Sequence, residues 1–325
     1  VAADHRSLPR AAALADPQQK ALDKTLGRSV TWLHATRTRE YRSMSDPAFL
    51  SREYNNRALF PDHPRHFARW AESSARVRQT MTCCLDRAYG ASPGETLDIF
   101  PAREGDGRAL VFIHGGYWRS LDKRDFSFLA PAWADAGVSL VVVNHDLCPK
   151  VSIERIVQQM LAASVWLYRH AEQYGIDGDR LYVSGHSAGA HLAAMMLVAL
   201  WPVIDRALPR DLYKGAVGVS GVYDLRPLVQ VDWLNGDLRL DEESAFRLSP
   251  AYLPPATGAP LVLAVGSLES SEFKRQSALL AQRWKSVLAG SIVMPGKDHF
   301  TVVDGLADPQ NALFAAAKRM MRRDR

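Results

Sequence analysis

The chain has 325 residues, 47% hydrophobic and 23% charged, values that exclude a wholly disordered polypeptide and allow one large core. Its formal net charge of +5 is uneven, because residues 1–80 hold 14 of the basic and 8 of the acidic side chains. The longest apolar run, Leu192–Ile204, is broken by Pro202 and falls short of a membrane span.

Residues 1–80 show no strand-like run. Helical spacing over Ala11–Leu26 and His66–Val77 predicts an N-terminal helical arm. Ser45-Asp46-Pro47 reads as a helix start, since proline is tolerated in a first turn. The arm is expected to begin as a loose tail and to pack on the body from about Asp46. Its basic residues are dispersed, which favours a solvated arm over a nucleic-acid surface.

From residue 81 to residue 325 the texture changes. Met81–Tyr89 and Glu95–Phe100 flank Gly90-Ala91-Ser92-Pro93-Gly94, the pattern of a hairpin. Apolar runs follow at Ala109–Ile113, Val138–Asn144, Leu181–Ser184, Ala216–Ser220, Leu261–Val265 and Ser291–Met294. Several are continuous, as in strands buried on both faces of a parallel sheet. Helices are expected at Phe126–Ala136, Ser152–Tyr174, Ala188–Leu200, Ser271–Leu288 and Pro309–Arg323. This alternation predicts a three-layer α/β domain over 81–325, with a mostly parallel central sheet flanked by helices. Residues 224–260 carry turn signals without a clear strand and read as a small cap-like insertion after the sixth strand, at the sheet's carboxyl edge.

The chemistry lies at strand ends. Gly185-His186-Ser187-Ala188-Gly189 is G-x-S-x-G between an apolar strand and an apolar helix. In that setting the serine sits on a sharp turn with its hydroxyl exposed, which makes Ser187 the candidate nucleophile. Strand Ala109–Ile113 runs into His114-Gly115-Gly116-Tyr117-Trp118, a loop able to turn backbone N–H groups toward a developing oxyanion. Gly115, Gly116 and Tyr117 are the candidate donors there, with Ala188 supplying another N–H. His299, just past the last strand, stands where a general base follows in chain order. For the orienting acid, Glu269 after strand Leu261–Val265 and Asp224 after strand Ala216–Ser220 are both in reach. His186, His191, His114 and His145 have local explanations, His114 as a prop for the oxyanion loop and His145 as a pocket liner. Tyr117, Trp118, Leu147 and Tyr223 are the candidate substrate-binding residues, expected to leave a narrow acyl slot beside a wider aromatic pocket. Cys83, Cys84 and Cys148 form no disulfide framework, which points to a reducing, cytoplasmic setting, and no secretory signal or zinc pattern is seen.

These stretches resemble α/β-hydrolases of the kynurenine formamidase (arylformamidase) type and their bacterial esterase relatives. The similarity rests on His114–Trp118 (HGGYW), Gly185–Leu192 (GHSAGAHL), Ser220–Leu228 (SGVYDLRPL), Glu269–Phe273 with Gln276-Ser277, and Asp298-His299-Phe300. It covers roughly 54–317. The resemblance implies an α/β-hydrolase fold, the triad Ser187–Glu269–His299, and no metal or other cofactor. It implies attack on an N-formyl amide of an aromatic amine, or on a short-chain or aromatic ester as the alternative. The family more often has Asp where Glu269 stands, and the arm here is longer than the family needs. The expected partner is a small aromatic amide or ester, with no nucleic acid or membrane involved and a homodimer left open. A non-catalytic binding protein on the same fold would be expected to lack a triad member, and here all three positions are filled.

Overall fold

The computed structural model describes residues 46–322, so the helix expected at Ala11–Leu26 lies outside the described residues. The chain enters through three helices, α1 (Pro47–Glu53), α2 (Asn56–Leu59) and α3 (His63–Thr80). The Asp46 side chain caps α1 by accepting from the Ala48 amide, and Pro47 occupies the first turn, where a missing N–H costs nothing.

Strands β1 (Cys84–Ala88), β2 (Thr96–Phe100), β3 (Ala109–Ile113), β4 (Ser139–Val143), β5 (Leu181–His186), β6 (Tyr213–Val219), β7 (Leu261–Gly266) and β8 (Leu288–Met294) form one sheet. Their order is β1-β2-β4-β3-β5-β6-β7-β8. β1–β2 and β2–β4 pair antiparallel, and from β4 to β8 every pairing is parallel. This is an α/β-hydrolase fold, with an N-terminal helical region and an insertion after β6.

The crossovers supply α4 (Ala130–Asp135), α5 (Ile153–His170), α6 (Ala188–Val198), the short α7 (Trp201–Ile204) and α10 (Ser271–Arg283), and α11 (Ala312–Met320) follows the last strand. The insertion contributes α8 (Asp232–Leu238) and α9 (Glu242–Arg247). Central strands alternate their side chains between two cores, as the two-residue pleat requires. Val111 and Ile113 join the core under α5, α6 and α10, whereas Leu110 and Phe112 join the core under α3, α4 and α11. α6 is buried at every residue, so its Ala- and Leu-rich sequence needs no polar face.

Two expectations shift. The helix expected to run to Leu288 stops at Arg283, because Trp284 turns inward to donate from its indole to the Leu253 carbonyl, and Leu288 already opens β8. The helix expected at Phe126–Ala136 is a 3-10 turn at Ser127–Leu129 before α4. Among the described residues, no helix is long and apolar enough to cross a membrane.

The N-terminal helices bridge both cores. Tyr54, closing α1, is fully buried, donates to Glu272 of α10 and accepts from Gln276. Trp70 of α3 packs at 5.4 Å on Phe126, and Ser74 accepts from the Phe128 amide. The chain between Tyr54 and Trp70 therefore passes from one helical layer to the other over the carboxyl ends of the strands.

Candidate active site

β5 ends at His186, and Ser187 takes φ +56° and ψ −120° before α6 begins at Ala188. This strained turn is held by close packing. A Cβ on Gly189 would come within 1.9 Å of the Ile113 carbonyl oxygen, so only glycine lets α6 approach the end of β3. The same approach carries the loop after β3 to the serine. Gly116 has φ +108°, and a Cβ there would sit 2.0 Å from the Ser120 carbonyl oxygen. Ala188 opens a helix, so its N–H has no intrahelical acceptor. Among the described residues, the amides of Gly116 and Ala188 donate to no backbone carbonyl.

His299 and Glu269 arrive from the loops after β8 and β7. The Ser187 Oγ lies 3.0 Å from His299 Nε2, and His299 Nδ1 lies 2.7 Å from Glu269 Oε2. All three are buried. The carboxylate fixes the tautomer: Nδ1–H donates to Glu269, leaving the Nε2 lone pair to accept the serine hydroxyl. The other Glu269 oxygen accepts from the Gly266 amide at 2.7 Å and from the Ser220 hydroxyl. Ser220 holds φ +50° at the end of β6 to make that contact, a role the sequence reading missed.

Asp224 does not reach His299. It is fully buried and grips Arg226 two residues on, at 2.8 and 2.9 Å, with Tyr252 also donating to it. The four alternative histidines, His186, His191, His114 and His145, are buried too. His186 Nε2 donates to the His299 carbonyl at 2.8 Å, steadying the histidine loop from beneath. His114 Nδ1 lies 2.8 Å from the Gly115 carbonyl and Nε2 lies 3.0 Å from Asn144 Oδ1, so it props the glycine loop. A neutral imidazole can donate to only one of these at a time. His145 stacks on His114 at 4.5 Å rather than lining the cleft.

Burial lowers the pKa of His114 and His186, takes His145 to about 3 and His191 to about 4. In the unfolded chain each titrates near 6.5. Below that pH the unfolded state binds protons the folded state refuses, so stability is intact above about 6.5 and drains as pH falls. At pH 5 the loss amounts to about 2 kcal/mol for each of His145 and His191. The melting temperature should drop steadily between pH 7 and pH 5 in calorimetry, and a flat profile would contradict buried neutral imidazoles.

A cleft opens beside Ser187 and His299. Tyr117 and Gly116 line it from the glycine loop, and its hydroxyl ties Tyr117 to the Tyr54 carbonyl at 2.6 Å. The other substrate-binding candidates do not line it. Trp118 is fully buried with its ring edge-on to His191 at 5.1 Å, Tyr223 is buried against Gly218 and Gly221, and Leu147 sits outside the cleft. Tyr117 and Trp118 both hold positive φ at this turn, and there Trp118 is buried in the core while Tyr117 lines the cleft.

The walls come instead from places the sequence reading did not single out. Asn55, Asn56, Arg57, Phe67 and Trp70 come from the N-terminal helices, Trp233 from α8, and Phe300 from the residue after His299. Arg57 lies over the Phe67 ring at 5.7 Å, and Arg119 over Trp233 at 5.2 Å with its charge met by Asp237. Among the described residues, no group of three His, Cys, Asp or Glu side chains could hold a metal ion.

The chain is similar to several known hydrolases. Residues 97–283 match the BD-FAE family model. The chain is 34% identical over 267 residues to kynurenine formamidase of Salmo salar, covering 79% of this chain and 88% of the relative. It is 32% identical over 164 residues to ethyl acetate hydrolase of Pseudomonas putida, 47% of this chain and 51% of that relative. A solved structure from Silicibacter sp. TM1040 that carries a provisional thioesterase name superimposes with TM-score 0.73. It is 31% identical and covers 82% of this chain and 98% of that one.

Proposed function

The chain belongs to the BD-FAE family of the α/β-hydrolase superfamily, and from that premise we propose that it is a serine carboxylesterase acting on short-chain or aromatic esters through Ser187, His299 and Glu269. At the coarser level it is a hydrolytic enzyme for small acyl and ester groups. The observation that carries the finer reading is the 3.0 Å and 2.7 Å relay from Ser187 through His299 to Glu269, opening into an aromatic-walled cleft.

In this reading His299 takes the hydroxyl proton as Ser187 attacks the ester carbonyl. The oxyanion receives N–H groups of Ala188 and the Gly115–Tyr117 loop, donors each worth a few kcal/mol of barrier. His299 returns the proton to the departing oxygen, and water then releases the acyl group from Ser187 by the same steps. Glu269 holds the ring and stabilises its cation without taking the proton. Glu269→Gln should therefore keep the fold and lower kcat by about 10³- to 10⁴-fold. Asp224→Asn should reduce stability but spare the chemistry of the remaining folded fraction; the reverse pattern in kcat would move the acid to Asp224.

The ester reading draws on the ethyl acetate hydrolase relative and on ester chemistry, in which the leaving oxygen needs less help from the acid than an amine does. A second reading, hydrolysis of an N-formyl group on an aromatic amine, is favoured by the longer match to kynurenine formamidase. One panel separates them: formyl, acetyl and butyryl groups on a fixed aryl alcohol and on the matching aryl amine. Acetyl and formyl aryl esters should turn over at least about 10²-fold faster than either anilide, as their better leaving group predicts. A formanilide rate equal to the esters' would establish the second reading.

A further inference from the structure

Asn56 stands out among the cleft residues. It is only 3% exposed, lines the cleft with Ser187 and His299, and neither its Oδ1 nor its Nδ2 has a hydrogen-bond partner among the described residues. Its backbone is fully used: the amide donates to the Tyr54 carbonyl, and its carbonyl accepts from the Phe60 amide. The adjacent Asn55 spends its side chain capping α2 through the Ala58 amide, so Asn56 has no such local duty. A buried carboxamide with both ends unmet is costly, and apolar residues of similar size would remove the cost.

We propose that Asn56 is the specificity-determining residue of the cleft and recognises a primary carboxamide-like group on the substrate, one that offers N–H and C=O side by side. This rests on the esterase reading above for the identity of the reacting bond. The match follows from the donor and acceptor set. One edge of the Asn carboxamide presents an acceptor beside one of its two N–H donors, spaced like the complementary edge of another amide, so two antiparallel hydrogen bonds engage both ends. A ketone satisfies only Nδ2 and leaves Oδ1 buried and unmet. A site built this way rejects the analogue lacking the donor more strongly than an apolar wall could.

The test compares aryl acetates carrying a carbamoyl group with those carrying an acetyl group, in meta and para series, on the wild type, Asn56→Leu and Asn56→Ala. In one series the wild type should favour the carbamoyl ester by about 10- to 100-fold in kcat/KM, and the preference should fall to near unity in both variants. Titrating benzamide against acetophenone reads the same discrimination as binding, without turnover. Asn56→Leu should also raise the melting temperature by on the order of 2 °C, since it removes an unmet amide. A wild-type ratio near one in both series, or a preference that survives in both variants, overturns the proposal. Absence of ester turnover and of Ser187 labelling, with the benzamide preference intact, would instead overturn the esterase reading alone.

Discussion

Ser187→Ala should abolish covalent labelling by a fluorophosphonate and lower kcat/KM by on the order of 10⁵- to 10⁶-fold, while leaving the melting temperature within a degree or two of the parent. Among the described residues the Oγ hydrogen-bonds only to His299, and the turn is held by glycine contacts that alanine does not touch. The lost rate corresponds to about 7 to 8 kcal/mol of barrier. Residual turnover would report the backbone donors and the cleft acting on water as nucleophile. Undiminished labelling of the variant would place the nucleophile elsewhere, and the first place to look would be Cys148. That thiol is an unpromising substitute, since burial pushes its pKa up to about 11.

His299→Ala should be nearly as damaging, and Ser187→Ala/His299→Ala no worse than either alone. In the proposed mechanism the two groups move one proton between them, so removing either ends the same step. Independent contributions would instead multiply to a loss of about 10¹⁰-fold or more. The imidazole also packs at 4.3 Å from the Phe273 ring and 5.6 Å from Phe300, so the alanine variant leaves a gap that lowers stability. His299→Gln fills that gap and separates packing from chemistry. A glutamine variant with substantial activity would mean that another group takes the proton. His186 is the neighbouring imidazole at 4.9 Å, but burial and the facing His299 hold its pKa well below the ordinary histidine value.

Ser187, Glu269 and His299 were legible because each is tied to a strand end, and strand ends in a parallel sheet share one edge whatever the rest of the chain does. The same logic places the Gly115–Gly116 loop. It fails for Trp118, Leu147 and Tyr223, whose distance from the serine along the chain says nothing about which way their side chains turn. It also left Asp224 open as the acid. Only packing shows that Arg226 and Tyr252 already hold that carboxylate. The apolar spacing of His66–Val77 announces a buried face, yet it cannot say that Phe67 and Trp70 also wall a cleft against residues more than a hundred positions away. Asn56 carries no signal at all in sequence, because an asparagine near a helix start ordinarily reads as a cap.

The crossing of residues 54–70 above the strand ends divides the molecule's labour along the chain. Ser187, Glu269 and the glycine loop fall within the stretch 97–283 that matches the family, whereas five of the cleft's lining residues precede it. Exchange of the segment 54–70 with that of a relative would alter the size, polarity and charge of the opening without displacing Ser187, Glu269 or His299. A protein organised in this way can drift toward new substrates by changing its roof while the residues at the strand ends stay put. For the engineer, the library belongs at Asn56, Arg57 and Phe67, not around the serine.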